Sequence, residues 1–304
     1  MASLRLSALR ILFGIAEHIA PRLAGHAAFE IFCRTPKPDG GRSPRARERI
    51  AAAEAFMLEA RRHCLKSAYG YFVAHEFRPQ GAWRGRGTIL VTHGWGSRSE
   101  YMRAIIGELR AHGFRVIALD LPGHGASSGR RLHMASAVAA VKTVQDWFGP
   151  FAGLVGHSFG GTVLVNALKG SVNGLEPVDA GRLALIASPN SMPDLFAYFS
   201  RELGLGRRSR EAFFDRVERV TGSPLSEFVV ARQAASLAVP IMVLHAPDDR
   251  EVPFADAQAI AAGANRAGLR PVDGAGHRRI LSDPATLAHL AEFFAGQRLL
   301  AAAE

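Results

Sequence analysis

The chain has 304 residues, 48% of them hydrophobic, and 37 Lys and Arg against 27 Asp and Glu give it a formal charge of +10. That length and apolar content suit one large α/β domain or two smaller ones. Cys33 and Cys64 show no C-x-x-C spacing and no run reaches 18 apolar residues, so a disulfide framework and a transmembrane helix are not expected. A reducing, cytoplasmic compartment is the expectation that follows. The positive charge would suit anionic partners, but the arginines are scattered, with clusters at 42–49, 61–62 and 207–210. No nucleic-acid motif accompanies them, so they are read as solvated surface and no nucleic-acid partner is expected. The 12 histidines include no H-x-H or H-E-x-x-H cluster, and no G-x-G-x-x-G follows the first strand. Neither a metal nor a dinucleotide is expected, and no cofactor.

Residues 1–62 read as a helical extension. In its first helix Leu4, Ala8, Ile11, Ile15 and Ile19 share one face, opposite Arg5, Arg10 and Glu17. Glu17 and His18 interrupt the apolar centre that a signal peptide would need. The helix either packs on the domain or lies on a membrane surface, so peripheral membrane contact through residues 1–34 is one expectation. A turn-rich linker at 35–41 precedes a charged helix over 43–62.

From residue 63 the pattern alternates between strand and helix. Strands are predicted at 69–77, 88–92, 114–119, 151–155, 182–187, 241–245 and about 269–272. Helices are predicted at 99–112, 131–148, 162–168, 254–264 and 284–295. Near-continuous apolar strands separated by helices imply a mostly parallel sheet covered on both faces. Residues 63–189 and 240–304 make this core. Between them, residues 190–239 are too long for a structureless connection and hold helical patterns at 194–205 and 209–220 and a shorter one after Pro224. They are expected to form a helical cap, with Phe196, Tyr198 and Phe199 as candidate pocket walls.

The chemistry centres on Gly156-His157-Ser158-Phe159-Gly160-Gly161. A strand, a sharp turn of small residues and a helix make G-x-S-x-G a nucleophile elbow. A serine at its ordinary pKa needs a base to take its proton and a third group to orient that base. Asp249, in Asp248-Asp249-Arg250-Glu251-Val252-Pro253, follows one predicted strand; Asp248 is the alternative acid. His277, in Gly274-Ala275-Gly276-His277, follows the last. The order Ser, Asp, His is the one the elbow requires. Oxyanion donors are expected from the N–H of Phe159 and from that of Trp95, in His93-Gly94-Trp95. His93 is expected to brace that loop rather than titrate, and the Trp95 ring is a further candidate pocket wall.

These pieces, with Asp120-Leu121-Pro122-Gly123-His124-Gly125-Ala126-Ser127, resemble the α/β-hydrolase superfamily in order and spacing across about residues 65–298. The resemblance implies an eight-stranded, mostly parallel sheet with helices on both faces, the second strand antiparallel and the cap inserted after strand 6. It implies no role for residues 1–62. The leading expectation is a serine hydrolase that cleaves a small-molecule carboxylic ester or thioester through an acyl-enzyme on Ser158. The alternatives are a cofactor-free perhydrolase or an amide or carbon–carbon bond hydrolase using the same triad, a membrane-peripheral lipid-ester enzyme, and a non-catalytic ligand-binding protein of this fold.

Overall fold

The apolar runs of the sequence become the interior strands of one sheet. In the computed structural model, which describes residues 2–36, 44–80 and 85–296, β1 (Arg61–Ser67) and β2 (Gly70–Phe77) form a hairpin. They are followed by β3 (Thr88–Thr92), β4 (Arg115–Asp120), β5 (Gly153–His157), β6 (Leu183–Ile186), β7 (Ile241–His245) and β8 (Ala267–Pro271). The eight strands lie in the order β1-β2-β4-β3-β5-β6-β7-β8. β2 runs antiparallel to both its neighbours and the other pairings are parallel.

Successive side chains alternate between two buried faces, as strand geometry demands. Leu90, Ile117 and Leu154 enter the core cluster on one face, and Ile89, Val91, Val116 and Val155 enter the one on the other. The first cluster is closed by α5 (Met134–Phe148) and α6 (Phe159–Lys169), the second by α4 (Arg103–Ala111) and α12 (Pro284–Ala295).

Register sets up the site. Thr92 pairs with Gly156, so the loops leaving β3 and β5 emerge side by side. The chain steps from β3 to β4 on one side and returns to β5 on the other. That reversal of direction opens a crevice at the carboxyl ends of the strands, the usual place for a ligand in an open α/β sheet. His245 pairs with Pro271, which likewise brings the loops after β7 and β8 together. α10 (Phe254–Gly263) and the short α11 (Gly276–Arg279) follow those two loops.

Helices are inserted after β6: α7 (Met192–Glu202), α8 (Arg207–Thr221) and α9 (Val230–Ala234). Asn190 ties them to the core, its N–H donating to Asp256 and its side-chain carbonyl accepting from Ala231 N–H.

The helix expected over 43–62 ends earlier. α3 spans Pro44–Met57, and Arg61 already begins β1. β1 is an edge strand of charged and polar residues, Arg-Arg-His-Cys-Leu-Lys-Ser, so it carries little β signal of its own. Its pairing with the apolar β2 defines it, register running from Arg61 opposite Glu76 to Ser67 opposite Gly70. Of the linker expected at 35–41, residues 37–41 lie outside the described part.

The first two helices, α1 (Ala2–Ile19) and α2 (Pro21–Cys33), dock on the inserted helices. α2 lies along α8 so closely that a Cβ at Gly25 would stand 2.6 Å from the backbone of Phe213 and Ser209. Arg10 donates to the Glu202 carbonyl at 2.8 Å and pairs with its carboxylate. Glu17 accepts from the Arg208 and Ser209 amides and from the Ser209 hydroxyl, satisfying donors at the start of α8. Cys33 is buried here, and burial pushes its thiol up to about 12, so it packs as a small apolar group.

Candidate active site

Ser158 stands between β5 and α6 with φ 52° and ψ −128°, a conformation that side chains rarely adopt. It is held there because strand and helix close tightly around it. A Cβ at Gly156 would lie 2.4 Å from Gly161 Cα, and one at Gly160 would lie 2.5 Å from the His93 carbonyl. The Ser158 N–H donates to Ile186 O at 2.8 Å, and its carbonyl accepts from Gly161 N–H. Strain of about 1–3 kcal/mol at such a residue persists only where its surroundings over-determine it.

The loop after β3 lies against the serine. A Cβ at Gly94 would stand 2.9 Å from Ser158 Cβ. The amides of Trp95 and Phe159 donate to no group among the described residues, which leaves both available to a developing oxyanion. The loop itself is braced by two buried histidines. His93 Nδ1–H donates to the Gly94 carbonyl at 2.8 Å while its Nε2 accepts from Leu121 N–H. His124 Nδ1–H donates to the Pro122 carbonyl while its Nε2 accepts from Gly96 N–H at 2.9 Å. Each ring has one nitrogen aimed at an N–H, so a second proton would face a donor. Burial lowers both pKa values, that of His124 to about 4.

Asp120 anchors the same region from below. Its carboxylate accepts from the Ser99 and Ala126 amides and from His75. Burial alone would raise its pKa; the His75 hydrogen bond, the neighbouring imidazoles and the Ala126 amide outweigh burial and hold it well below the carboxylate range.

Asp249 and Asp248 share a turn after β7 but not a role in the geometry. The Asp249 side chain is fully buried, with Oδ1 accepting from the Glu251 and Val252 amides and Oδ2 2.8 Å from His277 Nδ1. Burial pushes this carboxyl up, but the Val252 amide, His277 and the Glu251 amide prevail and keep it ionised below the usual range. Asp248 instead accepts from Gly276 N–H at 3.1 Å, bracing the histidine loop.

His277 is the second residue of the short helix α11, its side chain 8% exposed. Its backbone carbonyl accepts from His157 Nε2–H at 2.9 Å, and the two rings are 4.8 Å apart between centroids. His157 is the residue next to Ser158, so this bond ties the histidine loop to the elbow. Burial, then the nearby His277, pushes His157 down to about 3, and it is a neutral strut. His245 is a fourth neutral brace, its Nε2–H donating to the Val252 carbonyl. Glu251, paired with Arg278, lies 4.0 Å from His277 Nε2. Ser158 Oγ and His277 Nε2 are not hydrogen-bonded here, a contact that free enzymes often tighten only with substrate bound.

An aromatic roof covers the loop after β3. The Trp95 ring meets Phe159 edge-on at 5.5 Å and lies 5.7 Å from Phe32. Phe32 in turn touches Phe196 at 4.9 Å and Phe199 at 5.1 Å. Tyr198 stands outside this group, 56% exposed, with the Arg201 guanidinium over its ring. Phe32 comes from the extension and has no sequence signal linking it to the site. An open cleft of about 880 Å³ between α2 and α8, lined among others by Arg22, Asp215 and Arg219, includes none of Ser158, Asp249 and His277. No cluster of side chains suited to a metal ion occurs among the described residues.

A strained serine at a strand–helix elbow, on an eight-stranded sheet with helices inserted after β6, defines the α/β-hydrolase class. A model of the Alpha/beta hydrolase family matches residues 89–290, and the chain belongs to that family. No curated protein matches the sequence closely enough to count as a relative. Among solved structures, the fold is similar to a thermophilic esterase of Thermogutta terrifontis with butyrate bound. That likeness is at 20% identity and TM-score 0.61, over 82% of this chain and 98% of that one. It is similar to an esterase of Pyrococcus furiosus at 16% identity and TM-score 0.61, over 86% and 98%. A bacterial membrane phospholipase A is similar at 17% identity and TM-score 0.60, over 83% and 92%. Identities this low speak for the fold alone.

Proposed function

We propose that the protein is a serine hydrolase cleaving a short-chain carboxylic ester or thioester. The observation that carries this reading is the Asp249–His277 bond at 2.8 Å beside a serine held at φ 52°. Ser158 Oγ attacks the acyl carbonyl while His277 Nε2 takes its proton. Asp249 holds Nδ1–H and stabilises the imidazolium. The Trp95 and Phe159 amides receive the oxyanion, each such donor contributing roughly 3–4 kcal/mol at the transition state. His277 then protonates the leaving alcohol or thiol, and water cleaves the acyl-enzyme by the reverse path. A small acyl group fits the close roof of Phe32, Phe196 and Phe199 and agrees with the butyrate held by the Thermogutta terrifontis esterase. Free Cys33 and Cys64 accord with action in a reducing compartment such as the cytoplasm.

The test is turnover of p-nitrophenyl esters from acetate to laurate, with fluorophosphonate labelling alongside. Acetate to butyrate should turn over fastest, and Ser158→Ala should abolish both turnover and labelling. Labelling without ester turnover would favour amide, carbon–carbon or peracid chemistry on the same triad. Loss of both in the wild-type protein would leave a ligand-binding member of the family.

A further inference from the structure

We propose that the outward face of α1 is a docking surface for an anionic lipid bilayer. The inward face of this helix is already used: Leu6, Leu9, Phe13 and Ala16 pack into the core that α2 and the inserted helices share. The face pointing away from the protein is apolar as well. Ile11, Leu12, Ile15 and Ile19 are 65%, 62%, 54% and 78% exposed, and Leu23 at the start of α2 continues the row at 71%. The face made by Ala8, Ile11, Ile15 and Ile19, which an ordinary surface helix would bury, is therefore turned to solvent. The charged residues Arg10 and Glu17 do the opposite: they face the inserted helices and are bonded there. Folding this chain does not account for that arrangement, and contiguous exposed apolar side chains mark a surface that meets something else.

Charge identifies what it meets. Glu17 is the one acidic residue of α1, and the start of α8 consumes its carboxylate. Because Glu17 binds the Arg208 and Ser209 amides, that contact sets the first turn of α8 directly beside α1. This turn carries Arg207, Arg208 and Arg210, all exposed. Arg207 pairs with Glu211 and the Arg208 charge acts on the Glu17 carboxylate, while the side chain of Arg210 has no ion-pair or hydrogen-bond partner among the described residues. An apolar helix face flanked by exposed arginines is the pattern of a helix lying in the interface of an anionic membrane. A second copy of the chain fits less well. One helix face of five large side chains falls short of the roughly 20–30 residues a side that a stable dimer buries, and two such faces would bring the arginines of both copies together.

The experiment is flotation of the full chain with phosphatidylcholine vesicles, with and without 30% phosphatidylglycerol. It does not depend on catalysis, so its outcome is separate from that of the hydrolase reading. The wild-type protein should float with the anionic vesicles and partition at least tenfold less onto pure phosphatidylcholine, or onto the anionic vesicles in 1 M NaCl. Ile11→Gln/Ile15→Gln should lower partitioning at least tenfold, and Arg208→Gln/Arg210→Gln should remove most of the preference for the anionic lipid. Thermal melts of the variants should match the wild type, since these side chains are solvent-exposed; a variant that melts early is replaced by Leu12→Gln/Ile19→Gln on the same face. Failure of the wild type to float, or variants that float as well as it does, would overturn the proposal. So would a dimer in light scattering without lipid that Ile11→Gln/Ile15→Gln dissociates.

Discussion

Asp248 and Asp249 are adjacent, and what surrounds each carboxylate separates them. Asp249 is fully buried and spends one oxygen on two amides and the other on His277; Asp248 accepts only Gly276 N–H. An amide at 249 could still bond His277, but with the tautomer reversed. Asp249→Asn should therefore lower kcat about 10⁴-fold with little change in KM. Asp248→Asn loosens one loop contact and should cost less than tenfold. Steady-state kinetics on p-nitrophenyl butyrate decides; equal losses would remove the distinction drawn between the two. At this scale the sequence is informative where partners are local. The D-x-x-V-P spacing reads directly, since the Val252 amide three residues on is what holds Asp249. The struts do not read. His157 reaches a carbonyl 120 positions away and His124 an amide 28 away, and nothing in either histidine's own neighbourhood announces such a partner.

The elements were legible in proportion to how far burial alone defines them. β3, β7 and α12 match the periodicity to the residue, because each is a short apolar run or an amphipathic stripe with clear ends. β1 was not legible, because its strand character comes from its partner. α2 was legible as a helix but not as part of the site. Phe32 lies on its last turn and meets the Trp95 ring directly, while earlier in the helix Gly25 lets α2 and α8 meet backbone to backbone. An element outside the family's matched residues 89–290 thus supplies one wall over the loop after β3. Phe32→Ala should open that wall. Relative kcat/KM for octanoate over butyrate esters should rise about tenfold, within the roughly 1–3 kcal/mol that hydrophobic pocket changes deliver. A uniform fall across all chain lengths would mean that Phe32 only supports the fold.

Over the whole molecule, the parallel sheet and its crossing point fix where the loops gather, and neutral buried histidines then hold those loops in place. That design makes stability depend on pH. Burial is the first cause of a lowered pKa at His93, His124, His133, His157 and His245, with His124 and His133 at about 4 and His157 at about 3. His133 caps α5, its Nδ1 accepting Ser136 N–H. A histidine with a folded pKa below its unfolded value near 6.5 binds fewer protons folded than unfolded between the two values. Stability is then complete above about pH 6.5 and falls as pH drops toward the folded value. Each of the three groups with a stated value loses about 2 kcal/mol by pH 5, a large share together of the roughly 5–15 kcal/mol typical of a domain. Asp120 and Asp249, both lowered, keep their contributions until the pH falls below about 4, so the window from 7.5 to 5 isolates the imidazoles. The urea midpoint should fall steadily across that window, and a flat profile would show that these rings accept protons without loss. His133→Asp keeps an acceptor for Ser136 N–H beside Arg131 and Arg216, the charges that disfavour the imidazolium. It should match the wild type at pH 7.5 and exceed it by about 2 kcal/mol at pH 5.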